Sequence, residues 1–366
     1  MNTTRSLFQL LVLLFYTSAL TSCTATLIET RYQPVKVFSG KEESLNTVNA
    51  ISFEEFKSMV SRRPISGHFL FQKGIYNLAG ELEIHGRNLT IEGAREATFK
   101  GDGHQVGGII IGGEDIVLKN LNFIDTSYCI KNSRKMIAID ILISGLNSDG
   151  THDCIILNGR AGRKVDQWVI SRFLVSGYYR SAIRVFGDRV SNVNIDGFDI
   201  DGSSEKSYCW KGGIQIYESA HKLSISNGVI RNNHGGCGNR FQQGDGVEID
   251  HKRGVPEDII IKNIAFENNR DADVDVKGKN VTMENLIFFG GTKSRHAIKA
   301  WARSYTCLDC YATRKFFKLV EAKDSTINFS CSVPRRVEQL YKSIYNAQHT
   351  TRLECISLLL NTKEAT

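Results

Sequence analysis

In the segment NVNIDG, residues 192–197, an apolar residue in the fourth position, Ile195, is followed five places later by Ile200. The same form recurs in NLTIEG (88–93), DIVLKN (115–120), MIAIDI (136–141), QWVISR (167–172), KLSISN (222–227), DIIIKN (258–263) and NVTMEN (280–285). The fourth residues there are Ile91, Leu118, Ile139, Ile170, Ile225, Ile261 and Met283, at intervals of 21 to 36 residues. In six of the eight segments an apolar residue follows five positions on. Short strand-like runs at this period, parted by Gly, Asn and Asp, predict an all-β solenoid of stacked coils. Leucine-rich repeats share the length, but their leucine pattern and any intervening helical periodicity are missing.

A second set of short strands precedes the later repeats: AIRVFG (182–187), GIQIYE (213–218), GVEIDH (246–251), DVDVKG (273–278) and AIKAWA (297–302). Side chains alternate between the faces of a strand. Aligning the inward pairs Ile183/Val185, Ile214/Ile216, Val247/Ile249, Val274/Val276 and Ile298/Ala300 therefore fixes two outward columns. One reads Arg184, Gln215, Glu248, Asp275, Lys299, and the other Phe186, Tyr217, Asp250, Lys277, Trp301. With rungs ~4.8 Å apart, Glu248, Asp250, Asp273 and Asp275 are expected to crowd one patch, with Asp271 and Asp245 at its edge. The loops 201–212 and 231–246 precede adjacent strands of this face and are expected to wall a groove, with Cys209 and Cys237 close enough to bridge.

The 366 residues, 41% hydrophobic, suffice for a large core, and the net charge of +7 favours an anionic partner. Residues 1–22 read as an export signal, with Arg5 ahead of the apolar run LFQLLVLLFY (7–16). Leu20-Thr21-Ser22-Cys23 resembles a bacterial lipobox, which implies a lipid anchor on Cys23 and a place in the cell envelope; ordinary cleavage would give a secreted protein. No later segment is apolar for long enough to span a bilayer, so contact with a membrane is expected only through that anchor. Residues 23–50 read as a linker, 51–330 as one solenoid domain and 331–366 as a C-terminal cap. Within SFEEFKSMVSR (52–62), Ser52 and Glu55 predict a capping box on an amphipathic helix that plugs the first coil. The eight cysteines beyond Cys23 suit disulfides in an exported chain, and Cys307-x-x-Cys310 lacks the partner ligands of a zinc site. Nothing points to nucleic acid, and a monomer is expected.

Carboxylates from adjacent rungs suit a hard cation, and calcium takes 6–8 oxygen ligands in irregular geometry. A cation there would draw charge from a uronate carboxylate, so that a lysine one rung away could remove the neighbouring proton and expel the linked sugar. Lys299 has that position. Arg184, Gln215, Tyr217 and Trp301 are candidate sugar contacts. The competing reading is a solvated acidic face, neutralised by Lys277 on Asp250 and Lys299 on Asp275.

The stretch GIYNLAGELEIHGRNLTIEG resembles the first coil of the right-handed parallel β-helix, or pectin-lyase-like, superfamily. Asp271-Ala-Asp273-Val-Asp275, followed by Ala297-Ile298-Lys299, is similar to the calcium aspartates and catalytic lysine of family-nine polysaccharide lyases, although Ala272 departs from their adjacent aspartates. Gly246-Val247-Glu248 and Asp273-Val274-Asp275 resemble family-six lyases, which would make Lys277 or Lys279 the base and Arg303 its partner. Both resemblances imply calcium-assisted β-elimination of an anionic, uronate-containing polysaccharide. The alternatives are a polygalacturonase-like glycoside hydrolase, weakly suggested by NSDG (147–150) and AIKAW, and a non-catalytic glycan-binding β-helix.

Overall fold

The computed structural model describes residues 52–320 and 326–327, with breaks at 63, 95, 104–106, 205–206, 237–242, 292–293, 302–304 and 313–315. The expected export signal, Cys23, the linker, the 331–366 cap, Cys237 and Arg303 all lie outside the described residues. The described chain is an all-β solenoid whose strands pair in parallel from coil to coil, from Ile65 to Ile327. Five short strands form one side of the later coils: β1 (Ser181–Phe186), β2 (Gly212–Tyr217), β3 (Asp245–Asp250), β4 (Ala272–Val276) and β5 (His296–Trp301). Their register aligns Ile183, Ile214, Val247, Val274 and Ile298 in one row, and all five are buried, as the alternation predicts.

Long strands such as Val190–Asp201, His221–Arg231 and Glu257–Glu267 supply the remaining sides of each coil. They bend at residues with left-handed backbone, spaced five apart: Asp115, Asn120 and Asp125; Lys222, Asn227 and Asn232; Asp258, Asn263 and Asn268. Asn and Asp tolerate this conformation better than other side chains, and this explains their recurrence in the repeat. Stacked corners also bond to one another: Asn263 donates to Asn227 at 2.9 Å, Asn285 to Asn263 at 2.9 Å and Asn268 to Asn232 at 2.9 Å.

The corners correct one assignment. Ile139 was expected in the inward row with Leu118, but it pairs with Glu114 and is half-buried. Asp140 takes the left-handed corner equivalent to Asp115, so the repeat is DILISG (140–145) and Ile143 stands beside Leu118. The apolar alternation of MIAIDILI fits two frames four residues apart, and the corner residue selects between them.

At the N-terminal end, helix α1 (Phe53–Val60) carries the expected capping box, in which Ser52 Oγ accepts from the Glu55 amide and Glu55 accepts from the Ser52 amide. Phe56 is fully buried, its ring centroid 5.3 Å from Phe69 and 5.0 Å from Phe71, so the helix closes the apolar bore of the first coils. Phenylalanines of neighbouring coils stack deeper inside, as in Phe173–Phe198 and Phe266–Phe288 at 5.5 and 5.4 Å. Cys129–Cys154 and Cys307–Cys310 form disulfides. Phe56→Ala should destabilise the protein by about 3–5 kcal/mol, read as a lowered urea midpoint; an unchanged midpoint would show that the cap does not support the solenoid.

Candidate functional site

The outward columns of β1 to β5 lie in the expected order, Arg184 beside Gln215, then Glu248, Asp275 and Lys299. All of these but Gln215 line the floor of a groove of about 520 Å3, with Tyr217, Asp250, Lys277 and Trp301 of the neighbouring column. Its walls include Tyr208 and Trp210 from the 201–212 loop, and Lys252 and Arg253 from the turn after β3. Buried Lys211 fixes that first loop, donating from Nζ to the carbonyls of Tyr178 and Gly202 at 2.6 and 2.5 Å and to Ser204 Oγ at 2.8 Å. Cys209 in the same loop is disulfide-bonded.

The acidic cluster is laced with lysine. Lys299 Nζ donates to Asp271 at 2.7 Å and lies 3.2 Å from Asp275. Lys277 Nζ sits 3.5 Å from Asp250 and 3.6 Å from Asp275. Trp301 Nε1 donates to Asp275 at 2.9 Å. Burial works against the charge on Lys299, yet Asp275, Asp245 and Asp271 outweigh it and raise its pKa. For Lys277, burial is likewise outweighed by Asp275 and Asp250. Burial also opposes ionisation of Asp271, but hydrogen bonds from His296 and Lys299 pull its pKa down to about 2. Both ion pairs of the competing reading are therefore present.

Glu248 differs from its neighbours. It is 8% exposed, and burial raises its pKa, helped by Asp275 and Asp250 and opposed by Tyr217 and Lys277. Tyr217 donates its hydroxyl to Oε2 at 2.8 Å, and Gln215 donates Nε2 to the same oxygen at 2.9 Å. Gln215 also reaches the Trp210 carbonyl and is wholly buried. It was expected to touch substrate; it lies under the floor and orients Glu248 instead.

Asp273 requires a second correction. It does not join the patch: it is fully buried and accepts from Asn269 Nδ2 at 2.8 Å, and Asn269 accepts in turn from Asn233. The residues one step before the inward row are Ala182, Gly213, Gly246, Asp273 and Ala297. A Cβ on Gly213 would lie 2.7 Å from Ile230, and one on Gly246 2.7 Å from the Phe266 ring, both core residues. This column therefore turns inward where each strand begins, against strict alternation. The run of Ala and Gly in it is the sequence signal that was overlooked. Lys279 is corrected as well, since it is half exposed, opens the strand Lys279–Phe289 and faces Glu257 at 3.9 Å, away from the groove.

These side chains do not fit a calcium site as they stand. Asp271 and Asp275 close on Lys299, Asp273 points into the core, and Glu248 is held by Tyr217 and Gln215. Among the described residues no group of three or more His, Cys, Asp or Glu is arranged to hold a metal.

At the β1 end the groove is cationic, and here the sequence reading was incomplete. Arg184, on the floor, donates to buried Asp153 at 3.1 Å. Arg160 is paired with Glu218 and lies over the Phe186 ring at 4.7 Å. Arg180, which no motif singled out, lies over Tyr208 at 4.8 Å. Among the described residues, seven cationic side chains and four carboxylates line the groove, so its balance favours an anionic ligand.

No protein-family model matches the chain, and no curated protein matches it. Among solved structures it is similar to the enzymatically active domain of tailspike protein 2 of bacteriophage CBA120, with 10% identity, TM-score 0.54, and 71% of this chain and 43% of that chain covered. The chain thus spans under half the length of that domain. An alginate lyase from Paenibacillus sp. str. FPU-7 is similar at 15% identity and TM-score 0.44, over 75% of this chain and 90% of that one. A tailspike variant of E. coli bacteriophage HK620 in complex with a pentasaccharide gives 9% identity and TM-score 0.44, over 77% and 63%. What the first comparison establishes is the fold, a solenoid of parallel β coils.

Removing the ammonium of Lys299 would leave buried Asp271 with His296 alone and Asp275 with the more distant Lys277 and the Trp301 indole. Lys299→Met should therefore cost about 3–5 kcal/mol of stability, and adding Asp271→Asn should recover part of it; equal stability of wild type and Lys299→Met would refute the pairing. Calcium should leave the melting temperature unchanged, whereas a rise following mass action would mean that Lys299 gives up its place to the ion.

Proposed function

We propose that this groove binds an anionic polysaccharide and cleaves it. The observation that carries the reading is Glu248, a buried carboxyl of raised pKa on the floor of a cationic, aromatic-walled groove. Acid–base cleavage of a glycan needs one carboxyl that donates a proton to the leaving oxygen and a second that takes one from water. Tyr217 and Gln215 both donate to Oε2 of Glu248, which leaves Oε1 to carry a proton and pass it to a glycosidic oxygen. Asp250, two residues along the same strand, also lines the groove and is the counterpart that takes a proton from the attacking water. Lys277, Lys299 and the arginines supply the charge that holds the substrate's acidic groups.

A second reading, β-elimination, is favoured by the lysine cluster itself, since Lys277 and Lys299 could neutralise a uronate carboxylate and so acidify the hydrogen next to it. In that case Lys299, held charged by Asp275, Asp245 and Asp271, serves as the neutralising cation until it is released from them. The base would then have to be another group or a freed Lys299.

One assay separates the readings. Polygalacturonate, alginate and chondroitin sulfate are incubated with the protein, and both the ultraviolet absorbance of unsaturated product and new reducing ends are followed. Reducing ends without absorbance mean hydrolysis, both together mean elimination, and neither signal rejects cleavage of these glycans. Glu248→Gln should lower the hydrolytic rate about 10²–10⁴-fold. Undiminished hydrolysis in that variant would remove Glu248 from the chemistry.

A further inference from the structure

The β1 end of the groove holds an arrangement that the cleavage chemistry does not use. Arg180 and Arg184 both line it. The Arg180 guanidinium stacks over Tyr208 at 4.8 Å, and that of Arg184 over Phe186 at 5.2 Å. Stacking fixes the plane of a guanidinium and leaves its N–H edge available for a ligand. Nearby Arg160 is already committed to Glu218, and one terminal nitrogen of Arg184 to Asp153. Arg180 makes no ion pair among the described residues. In addition, the Nε atoms of both Arg180 and Arg184 are buried without a hydrogen-bond partner. A buried donor without an acceptor is destabilising, and the matching acceptor for a guanidinium edge is an oxyanion bound through two oxygens.

We propose that Arg180 and Arg184 form a subsite for an oxyanion on a sugar ring, a uronate carboxylate or a sulfate ester, set apart from the point of cleavage. Arg184 stands two rungs from Glu248 along the floor, about 9.6 Å at ~4.8 Å per rung. The acidic group held there therefore belongs to a different ring from the one whose linkage faces Glu248. The subsite makes the protein select chains that carry charge at a distance from the cut, whatever sugar lies over Glu248. It rests on the glycan-cleaving reading for the identity of the ligand and not for its binding chemistry.

The test measures binding without turnover, by calorimetry on full-length Glu248→Gln protein with polygalacturonate, dextran sulfate and neutral dextran. Arg180 is the residue to change first, because Arg184→Gln would also remove the arginine partner of buried Asp153. Adding Arg180→Gln should weaken binding of the charged glycans about tenfold or more, as expected for loss of a charge-assisted two-pronged contact. It should also flatten the salt dependence of binding and leave dextran unaffected. Arg180→Lys, which keeps the charge but not the fork, should recover part of the loss, and thermal melting checks that each variant is folded. Loss confined to polygalacturonate assigns the subsite to carboxylates, and loss confined to dextran sulfate assigns it to sulfate esters. Undiminished affinity for both charged glycans in folded Arg180→Gln overturns the subsite alone. Binding that depends on Arg180 with no cleavage of any glycan overturns the enzymatic reading and keeps the subsite. Failure of the parent protein to bind either charged glycan overturns both.

Discussion

Everything in this molecule depends on the chain turning a corner every few residues without losing its parallel register. A residue in the left-handed region bends a strand where an ordinary residue would continue it, and the bend must recur at the same height in each coil for the next coil to stack. Corner residues at Asp115, Lys222 and Asp258, and again five positions on in each case, meet that condition. Asparagines at stacked corners then bond to one another through their side-chain amides, so the residue that permits the bend also ties it to its neighbour. Once the corners are aligned, the inward rows and outward columns follow.

That alignment explains the electrostatics of the groove. Parallel stacking places like positions of successive coils one rung apart, so a column of carboxylates would repel itself unless cations were interleaved. Here Asp275 is flanked by Lys277 on its own strand and Lys299 on the next, and Asp271 is drawn into the same cluster. The lysines occupy the place that a metal ion would take in a bare acidic site. Glu248 stands one rung away from Asp275 with uncharged donors as its hydrogen-bond partners, and burial raises its pKa against the lowering effect of the Tyr217 hydrogen bond.

Much of this could be read from the residues alone. Apolar spacing gave the solenoid, the capping box gave α1, and alternation gave the two outward columns in correct register. Alternation failed at Asp273, because the second residue of each short strand points inward where the strand leaves the corner; only the small residues at Gly213, Gly246 and Ala297 signal this. It failed again at Ile139, where an apolar pattern with two frames needed a corner residue to choose between them. Burial is the other quantity that pattern does not supply. Gln215 and Glu248 share a column, yet one is wholly covered and the other keeps contact with the groove. Arg180 was illegible for a different reason: it lies in a connection outside any repeat, and its meaning comes from Tyr208, which arrives on a separate loop.

The anchoring of that loop by Lys211 bears on how such a protein can diversify. Two of the oxygens around Lys211 Nζ are main-chain carbonyls, those of Tyr178 and Gly202. A carbonyl is present whatever the side chain, so apart from the hydroxyls of Ser204 and Ser207 the anchor makes few demands on the sequence between Gly202 and Lys211. The tip that carries Tyr208 and Trp210 can therefore be rewritten, lengthened or exchanged while its base stays fixed to the coil. Ligand preference and fold stability are to that extent separately encoded, and the wall of the groove is a replaceable part on a fixed frame.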